Sequence, residues 1–264
     1  MDRSDWVRLN CGALRDWIVS VSADPPIVLD GLTAGMARAA PARSVFNSVA
    51  YDAPAALREH YEEVAAAYAE AGCAWTVWVP EDDAETAAFL EAAGHVLDAQ
   101  PRAMGMDLGG VEAPDLTSLD WTDEGSWEEA CSVNDGAFGL PEGTWLSGLP
   151  RPPEGARTYL ARLEGSPIGA VVGTDHPGHG GARDCSIWCV ATLEAARGRG
   201  IATALMARAL ADAHGRGCAT STLQATRLGR PVYERVGYAD FGSIGMWELR
   251  PPELASEARR RPPA

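Results

Sequence analysis

The sequence predicts an α/β (α+β) protein in which two halves use one βαβ arrangement, one behind the other. Strand-like and helix-like patterns alternate, as in VFNSVAY followed by APAALREHYEEVAAAYAEAG. An internal repeat supports two copies, because Glu91 and Gly94 in FLEAAGH lie 143 residues before Glu234 and Gly237 in VYERVGY. The length of 264 residues suits two domains of roughly 100–150 residues each.

The first half alternates strands and helices up to a linker. A strand at Val45–Tyr51 precedes a helix at Ala53–Gly72, where apolar residues recur at helical spacing and a glycine ends the helix. AWTVWVP is predicted as a strand, DDAETAAFLEAAGH as a second helix and AMGMDL as a final strand. The turn-rich stretch Gly109–Ser118 indicates a linker, so a first domain is predicted over residues 1–110.

The second half repeats this alternation in a predicted domain over residues 111–250. Two short helices are predicted in SWEEACSVNDGAFG and PEGTWLSGL, then a hairpin around Gly165 and Ser166. An apolar strand at Cys185–Thr192 leads into a helix from about Gly200, followed by the strand STLQAT, the short helix GRPVYERVGY and the strand SIGMWEL. The proline-rich tail, residues 251–264, is predicted to be disordered.

Composition restricts the class of protein. An apolar fraction of 46% and a charged fraction of 22% are typical of a soluble globular protein, and no segment has the ~20 consecutive apolar residues of a membrane span. Charges scattered through the N-terminus argue against a signal peptide, so a cytoplasmic location is expected. The net charge of −15 argues against nucleic-acid binding.

Metal binding is not expected either. The cysteines form no Cys-x-x-Cys pair, and Cys185 and Cys189 are predicted as buried free thiols. His176 and His179 lie in a predicted loop without further ligands nearby.

The stretch RGRG between a predicted strand and a predicted helix is typical of an anion site. Residues 197–235 hold seven arginines against two acids, a local charge of +5 in an acidic chain. The first N–H groups of a helix have no partners within the helix, and Gly198 and Gly200 let a ligand approach the backbone. Arg197 and Arg199 add charged donors, so a phosphate or pyrophosphate is expected here. A Walker loop is excluded because the chain contains no lysine, and Thr203 breaks the G-x-G-x-x-G pattern of dinucleotide sites.

RGRGIA resembles the acetyl-CoA loop [QR]-x-x-G-x-[GA] of GNAT-type N-acetyltransferases, with Arg197, Gly200 and Ala202 at the defining positions. WCVAT before it and LQAT…GRPVYERVGY after it are similar to that family's neighbouring motifs, over roughly residues 116–249. Two positions depart from the family: Glu194, where many members have proline, and Thr226, where many have an asparagine. The resemblance implies two tandem GNAT-like domains, each a mixed, mostly antiparallel sheet flanked by helices.

The resemblance also implies the site residues. Tyr233 would protonate the departing sulfur of coenzyme A, and a backbone N–H near Val190 can stabilise the oxyanion. The residues implied to bind acetyl-CoA are Val190, Ala191, Thr192, Arg197, Gly198, Arg199, Gly200, Ile201, Ala202, Thr203 and Thr226. The general base stays open among Asp184, Glu128 and Glu129.

The implied activity is transfer of acetyl from acetyl-CoA to a primary amine, with a small molecule favoured as acceptor. The protein is expected to be a monomer or a homodimer. It is expected to use no metal and to bind neither nucleic acid nor a membrane. Two alternatives stay open: a non-catalytic acyl-CoA sensor or scaffold, and a specialised tandem acyltransferase resembling mycothiol synthase. The first half is expected to bind no cofactor, because DAPAALREH replaces the phosphate loop, Asp52 would repel phosphate and Leu90 stands in the place of Tyr233.

Overall fold

The computed structural model describes residues 1–254, and in this range seven α-helices and twelve β-strands alternate. The helices are α1 (Arg3–Val21), α2 (Pro54–Ala71), α3 (Ala84–Ala92), α4 (Trp127–Ala137), α5 (Thr144–Gly148), α6 (Ile201–Gly215) and α7 (Arg230–Val236). The strands are β1 (Ile27–Leu29), β2 (Leu32–Ala34), β3 (Ser48–Tyr51), β4 (Trp75–Pro80), β5 (Val96–Ala99), β6 (Arg102–Asp107), β7 (Asp120–Thr122), β8 (Arg157–Leu163), β9 (Ser166–Pro177), β10 (Arg183–Thr192), β11 (Cys218–Ala225) and β12 (Ala239–Leu249). Residues 255–264 of the predicted tail lie outside the described range.

These elements form two compact units, each built from separated segments of the chain. Unit 1 comprises Met1–Ala13, Arg102–Leu146 and Arg151–Gly242. Unit 2 comprises Leu14–Pro101, Ser147–Pro150 and the described part of Ser243–Ala264. The units therefore do not follow a single cut in the sequence, and the domain boundary between residues 110 and 111 stays a prediction.

The sheet of unit 1 has the strand order β7-β8-β9-β10-β11-β6. The pair β10–β11 is parallel, and the other neighbouring pairs are antiparallel. Helix α6 connects the two parallel strands and buries Leu205, Met206 and Leu210 in the core of this unit. The sequence dictates this orientation, because the buried residues of α6 recur at helical spacing along one face.

Unit 2 repeats the plan on a smaller scale. Its strands follow the order β1-β2-β3-β4, and the residues Ile244–Leu249 of β12 then pair with β4. The pair β3–β4 is parallel and is joined by α2, which buries Leu57, Tyr61, Val64 and Tyr68. A mixed sheet with helices is thus found in both units, and the predicted fold class is confirmed.

The repeat at an offset of 143 residues is visible in the backbone. Gly94 and Gly237 follow helices α3 and α7, with φ of 94° and 118°. Residues other than glycine rarely adopt such φ angles, which explains why both copies have glycine there. The next residue in each copy, His95 or Tyr238, is buried.

The final strand of each sequence repeat belongs to the unit that contains the helix of the other repeat. Strand β6, which follows the first repeat, pairs with β11 in unit 1, and the end of β12 pairs with β4 in unit 2. The sequence predicts both strands but not these partners, because an alternating apolar pattern specifies a buried face and carries no information on the neighbouring strand.

No helix within residues 1–254 combines the length and the apolar character that a membrane crossing requires.

Candidate active site

The RGRG stretch forms a glycine turn between the end of β10 and the start of α6. Gly198 and Gly200 both have φ of 76°, in the left-handed region that favours glycine. Gly200 is the N-cap of α6, so the N–H groups of the first helical turn point toward the turn without helical partners. Because the helix dipole is also positive at this end, the turn provides a site for an anion.

Strands β10 and β11 part just before this turn. Their parallel pairing runs from Arg183↔Cys218 to Ser186↔Thr222, where it ends. On its other side, β10 pairs with β9, with a shift in register between Trp188 and Ala191. Cys189 lies in this β-bulge with φ of 51°. Ala191 and Thr192 still pair with β9 on one edge of β10, but the opposite edge, which faces β11 up to Ser186, has no paired strand beyond that residue in the described part of the chain. An open strand edge of this kind can bind an extended ligand.

A cleft of about 760 Å³ lies where the strands part, entirely within unit 1. Ten of the eleven residues predicted to bind acetyl-CoA line it, and so does Tyr233; Arg199 is exposed outside the lining. The cleft is lined by Asn134, Ala137, Phe138, Trp145, Ile187, Trp188, Cys189, Val190, Ala191, Thr192, Ala196, Arg197, Gly198, Gly200, Ile201, Ala202, Thr203, Leu223, Gln224, Thr226, Leu228, Gly229, Val232, Tyr233 and Arg235.

Arg197 connects two walls of the cleft. Its Nε donates to the carbonyl of Thr192 at 3.2 Å, and its Nη2 donates to the carbonyl of Ala137 at 2.7 Å. Ala137 is the last residue of α4, so the guanidinium also complements the negative end of that helix. Arg197 therefore fixes the glycine turn in addition to bringing positive charge to it.

Tyr233 lies on α7 with 8% of its surface exposed. Burial, and to a smaller extent the neighbouring Cys189 thiol, raises the pKa of its phenol to about 12. The phenol is therefore protonated at neutral pH, as a proton donor must be. Its ring lies edge-on to Tyr238, with the ring centroids 6.3 Å apart.

Thr226 lines the cleft at the turn between β11 and α7. Its hydroxyl accepts a hydrogen bond from the N–H of Gly229 at 3.1 Å. The threonine thus stabilises the turn that starts α7, a local role that its position in the sequence motif does not indicate.

The candidate bases lie away from the cleft. Asp184 is fully buried and accepts hydrogen bonds from the hydroxyls of Thr220 and Thr222 at 2.6 and 2.7 Å, and its Oδ2 lies 2.8 Å from His176 Nε2. Glu129 forms an ion pair with Arg162 at 2.6 Å, and hydrogen bonds from that guanidinium lower its pKa.

Glu128, the third candidate, is exposed. Among the described residues, no aspartate or glutamate lines the cleft.

Several cleft residues lie outside the sequence motifs, among them Asn134, Phe138 and Trp145 of the α4–α5 segment. Trp188 lies within the motif WCVAT, but no role was predicted for it. No sequence signal indicates Asn134, because α4 contains other polar residues, including Glu128, Glu129 and Asp135. Helix α4 itself is well specified, because Ser126 and Glu129 form a capping box at its start.

The cysteines and histidines form no metal site in the described part of the chain. All six cysteines are free thiols; Cys185 is buried, as predicted, and Cys189 is half-buried in the bulge. His176 contacts Asp184 and the hydroxyl of Ser186 at 2.9 Å. Groups of three or more potential metal ligands are absent from residues 1–254.

The corresponding position in unit 2 has a different geometry. Helix α2 begins with Pro54, which has no N–H group, and its N-cap is Ala53. Asp52 lies just before this helix and forms an ion pair with Arg15. Leu90, the counterpart of Tyr233, is fully buried. A helix start with a proline and a nearby carboxylate is poorly suited to a phosphate.

Comparison with known proteins places this site in a family. Residues 115–238 match the model of the acetyltransferase (GNAT) family. The chain therefore contains a GNAT acetyltransferase domain, of a class that transfers acyl groups from acyl-CoA to amines. No curated protein matches the sequence.

Solved structures share the fold over most of the chain. The GCN5-related N-acetyltransferase from Kribbella flavida matches 94% of this chain and 98% of its own, with a TM-score of 0.65 and 19% identity. A GCN5-related N-acetyltransferase from Sphaerobacter thermophilus matches 84% and 78%, with a TM-score of 0.56 and 17% identity. A tandem GNAT protein from the clavulanic acid biosynthesis pathway matches 73% and 69%, with a TM-score of 0.51 and 15% identity.

Proposed function

We propose that this protein is an N-acetyltransferase that moves acetyl from acetyl-CoA to a primary amine, with a small molecule as acceptor. One observation carries the proposal: a single cleft joins the parted end of β10, the glycine turn before α6 and the buried phenol of Tyr233. These three parts supply the groups that binding a diphosphate, holding an extended thioester and protonating a leaving thiolate require.

The glycine turn holds the diphosphate of acetyl-CoA in this proposal. The N–H groups of Gly198 to Thr203 and the dipole of α6 bind the anion, and Arg197 keeps the turn in place. The open edge of β10 over Val190, Ala191 and Thr192 binds the pantetheine arm, as a neighbouring strand would. The thioester then lies toward the bulge and Tyr233.

Tyr233 is the proton donor in the transfer. The lone pair of the amine nitrogen forms the new C–N bond, and the C–S bond breaks with its electron pair on sulfur. That sulfur takes the phenolic proton of Tyr233, and the nitrogen releases one of its protons, which returns through water to the phenolate. The products are an acetamide and the free thiol of coenzyme A. A backbone N–H near Val190 stabilises the negative charge on the carbonyl oxygen.

The amine enters as the neutral base. No carboxylate lines the cleft within the described residues, so no fixed negative charge there favours an ammonium ion. We therefore expect the rate at a fixed total amine concentration to rise with pH until the amine is deprotonated.

Thiol release tests the proposal. The purified chain, acetyl-CoA and a panel of 2-phenylethylamine, spermidine and glycine are expected to yield free coenzyme A thiol with at least one amine. Tyr233→Phe is expected to bind acetyl-CoA with unchanged affinity and to lose most of the turnover, because it keeps the ring and lacks the proton. Tight acetyl-CoA binding without thiol release from any amine would instead favour a sensor or scaffold.

Unit 2 binds no acetyl-CoA in this proposal. Calorimetry is expected to give a stoichiometry near one acetyl-CoA per chain, because the start of α2 lacks the glycine turn of α6. A value near two would contradict the proposal for this half.

A further inference from the structure

Asn134 has a buried oxygen without a partner in the wall of the cleft. The residue is fully buried, and its Nδ2 donates to the carbonyls of Ala130 at 2.8 Å and Cys189 at 3.3 Å. Its Oδ1 finds no hydrogen-bond donor among the described residues. The side chain cannot be reversed, because Oδ1 would then face two carbonyl oxygens. A buried acceptor without a donor is costly, so this oxygen is suited to an N–H or O–H group of a ligand.

The position of Asn134 assigns it to the reacting end of the cleft. Its bond to Cys189 places it at the bulge, whereas the glycine turn begins at Arg197. The strand from the bulge to Thr192 spans roughly 10 Å, and the loop to Arg197 follows. A ligand whose phosphates bind at the turn therefore has its far end beside Asn134.

Aromatic side chains line the cleft together with Asn134. Trp188 donates its indole N–H to the hydroxyl of Thr174 at 3.0 Å, so its ring presents an apolar face. Trp145 and Phe138 stack with ring centroids 6.3 Å apart, and Phe138 is 54% exposed at the rim. The backbone N–H of Trp145 is fixed by Asp135 Oδ1 at 3.0 Å, so the aromatic wall is held in place.

We propose that this end of the cleft is the acceptor subsite, which binds a primary amine on a flat apolar body and directs one amine N–H to Asn134 Oδ1. The subsite rests on the proposed acetyl transfer. A carboxamide oxygen does not take the proton at neutral pH, so Asn134 is a binding and positioning group: it turns the nitrogen lone pair toward the thioester. The rings of Trp145 and Trp188 hold the apolar body.

A preference among amines is the first test. With the unaltered protein, 2-phenylethylamine is expected to exceed both spermidine and glycine in kcat/KM by about tenfold or more, because glycine has no apolar body and the short methylene chains of spermidine lie between ammonium groups. Equal or faster turnover of spermidine or glycine would overturn the subsite and leave the acetyl transfer standing. Absence of thiol release with every amine would overturn the acetyl transfer and, with it, the subsite.

The variant Asn134→Ala distinguishes two possible donors to Oδ1. One is the N–H of the acceptor amine, and the other is an amide N–H of the pantetheine arm. The expected result is a rise of about tenfold or more in KM for 2-phenylethylamine, with the Kd of acetyl-CoA changed less than about twofold. An equal loss in acetyl-CoA affinity would assign the oxygen to the pantetheine arm, and no change in either constant would also overturn the proposal.

Asn47→Ala is the matched control. Asn47 is a fully buried asparagine of unit 2 whose Oδ1 accepts from the N–H of Ala37 at 2.8 Å. Its truncation is expected to lower stability without changing the ratio of KM for 2-phenylethylamine to Kd for acetyl-CoA.

If Asn134→Ala does not fold, a competition experiment with the unaltered protein tests the hydrogen bond. N,N-dimethyl-2-phenylethylamine has the same apolar body as 2-phenylethylamine and no N–H on the free base. Measured above its pKa, it is expected to compete about tenfold less well than 2-phenylethylamine, and equal competition would contradict the hydrogen bond.

Discussion

The phenol of Tyr233 lies directly over the backbone of Gly229. A Cβ at Gly229 would come within 3.0 Å of the phenolic oxygen and within 2.8 Å of a ring carbon. The glycine has φ of −76°, an ordinary helical angle, so its missing side chain matters here for space alone.

Gly229→Ala is therefore expected to displace the phenol without straining the backbone. We expect kcat to fall about tenfold, because a shift of roughly 1 Å in the proposed proton donor would have a large effect on rate. Steady-state thiol release measures this change. Gly215→Ala is the control, since nothing lies within 4 Å of a Cβ at that position. An unchanged kcat in the Gly229 variant would indicate that the position of the phenol does not limit turnover.

Gly200→Glu is expected to abolish acetyl-CoA binding. The substitution puts a negative side chain at the start of α6, where φ of 76° also disfavours any residue with a Cβ. We expect Kd, measured by calorimetry, to rise about 100-fold or more. Gly200→Ala carries the backbone strain without the charge and should cause a smaller loss.

Gly215→Glu introduces the same charge at the other end of α6 and should bind normally. If Gly200→Glu bound acetyl-CoA with full affinity, the proposal that the diphosphate binds at this turn would be wrong.

The pH profile of kcat tests the protonation of Tyr233. Because burial raises its pKa to about 12, the phenol keeps its proton at a pH where a free tyrosine, with pKa about 10, is half ionised. The rate at saturating substrates is therefore expected to show no fall between pH 7 and pH 10, after subtraction of spontaneous hydrolysis. A falling limb with a midpoint below pH 10 that is absent from Tyr233→Phe would contradict this raised pKa.

His95 makes the stability of unit 2 depend on pH. Burial lowers its pKa to about 4, while the Trp247 carbonyl accepts from its ring at 3.0 Å, and the unfolded chain has a pKa near 6.5. Below pH 6.5 the unfolded state takes up a proton that the folded state does not. The contribution of the neutral histidine is therefore complete above about pH 6.5 and is lost as pH falls toward 4, by roughly 3 kcal/mol at most.

Urea unfolding at pH 7 and pH 5 checks this, with His95→Gln and the exposed His214→Gln compared with the parent. The first variant should show a weaker dependence on pH, and the second should resemble the parent. Identical pH dependence in all three proteins would rule out His95 as the source.

Sequence patterns predicted the elements around the site because those elements depend on local chemistry. The glycines of RGRG, the apolar face of α6 and the strand before it each have a local signature. Helix α1 was not predicted, although Trp6, Leu14 and Ile18 are buried along it, because its polar residues dilute the pattern. Strands β1 and β2 have three residues each, too few to show a period.

The residues that only tertiary structure reveals are those of the proposed acceptor subsite. Nothing in the segment SVNDG shows that the amide of Asn134 bridges Ala130 and the bulge, because Cys189 is 55 residues away. Asp184 was a candidate base by residue type alone, and its hydroxyl partners on β11 become visible only when the strands are paired. Long-range hydrogen bonds of this kind have no sequence period.

The exchange of final strands between the repeats has a consequence for biosynthesis. As the ribosome makes the chain, β4 emerges early, but its antiparallel partner Ile244–Leu249 does not exist until translation has advanced by more than half of the chain. At the usual elongation rate this delay is on the order of ten seconds. During this time the edge of β4 that later pairs with β12 is without its partner. We therefore expect a chaperone that binds the nascent chain to shield this edge.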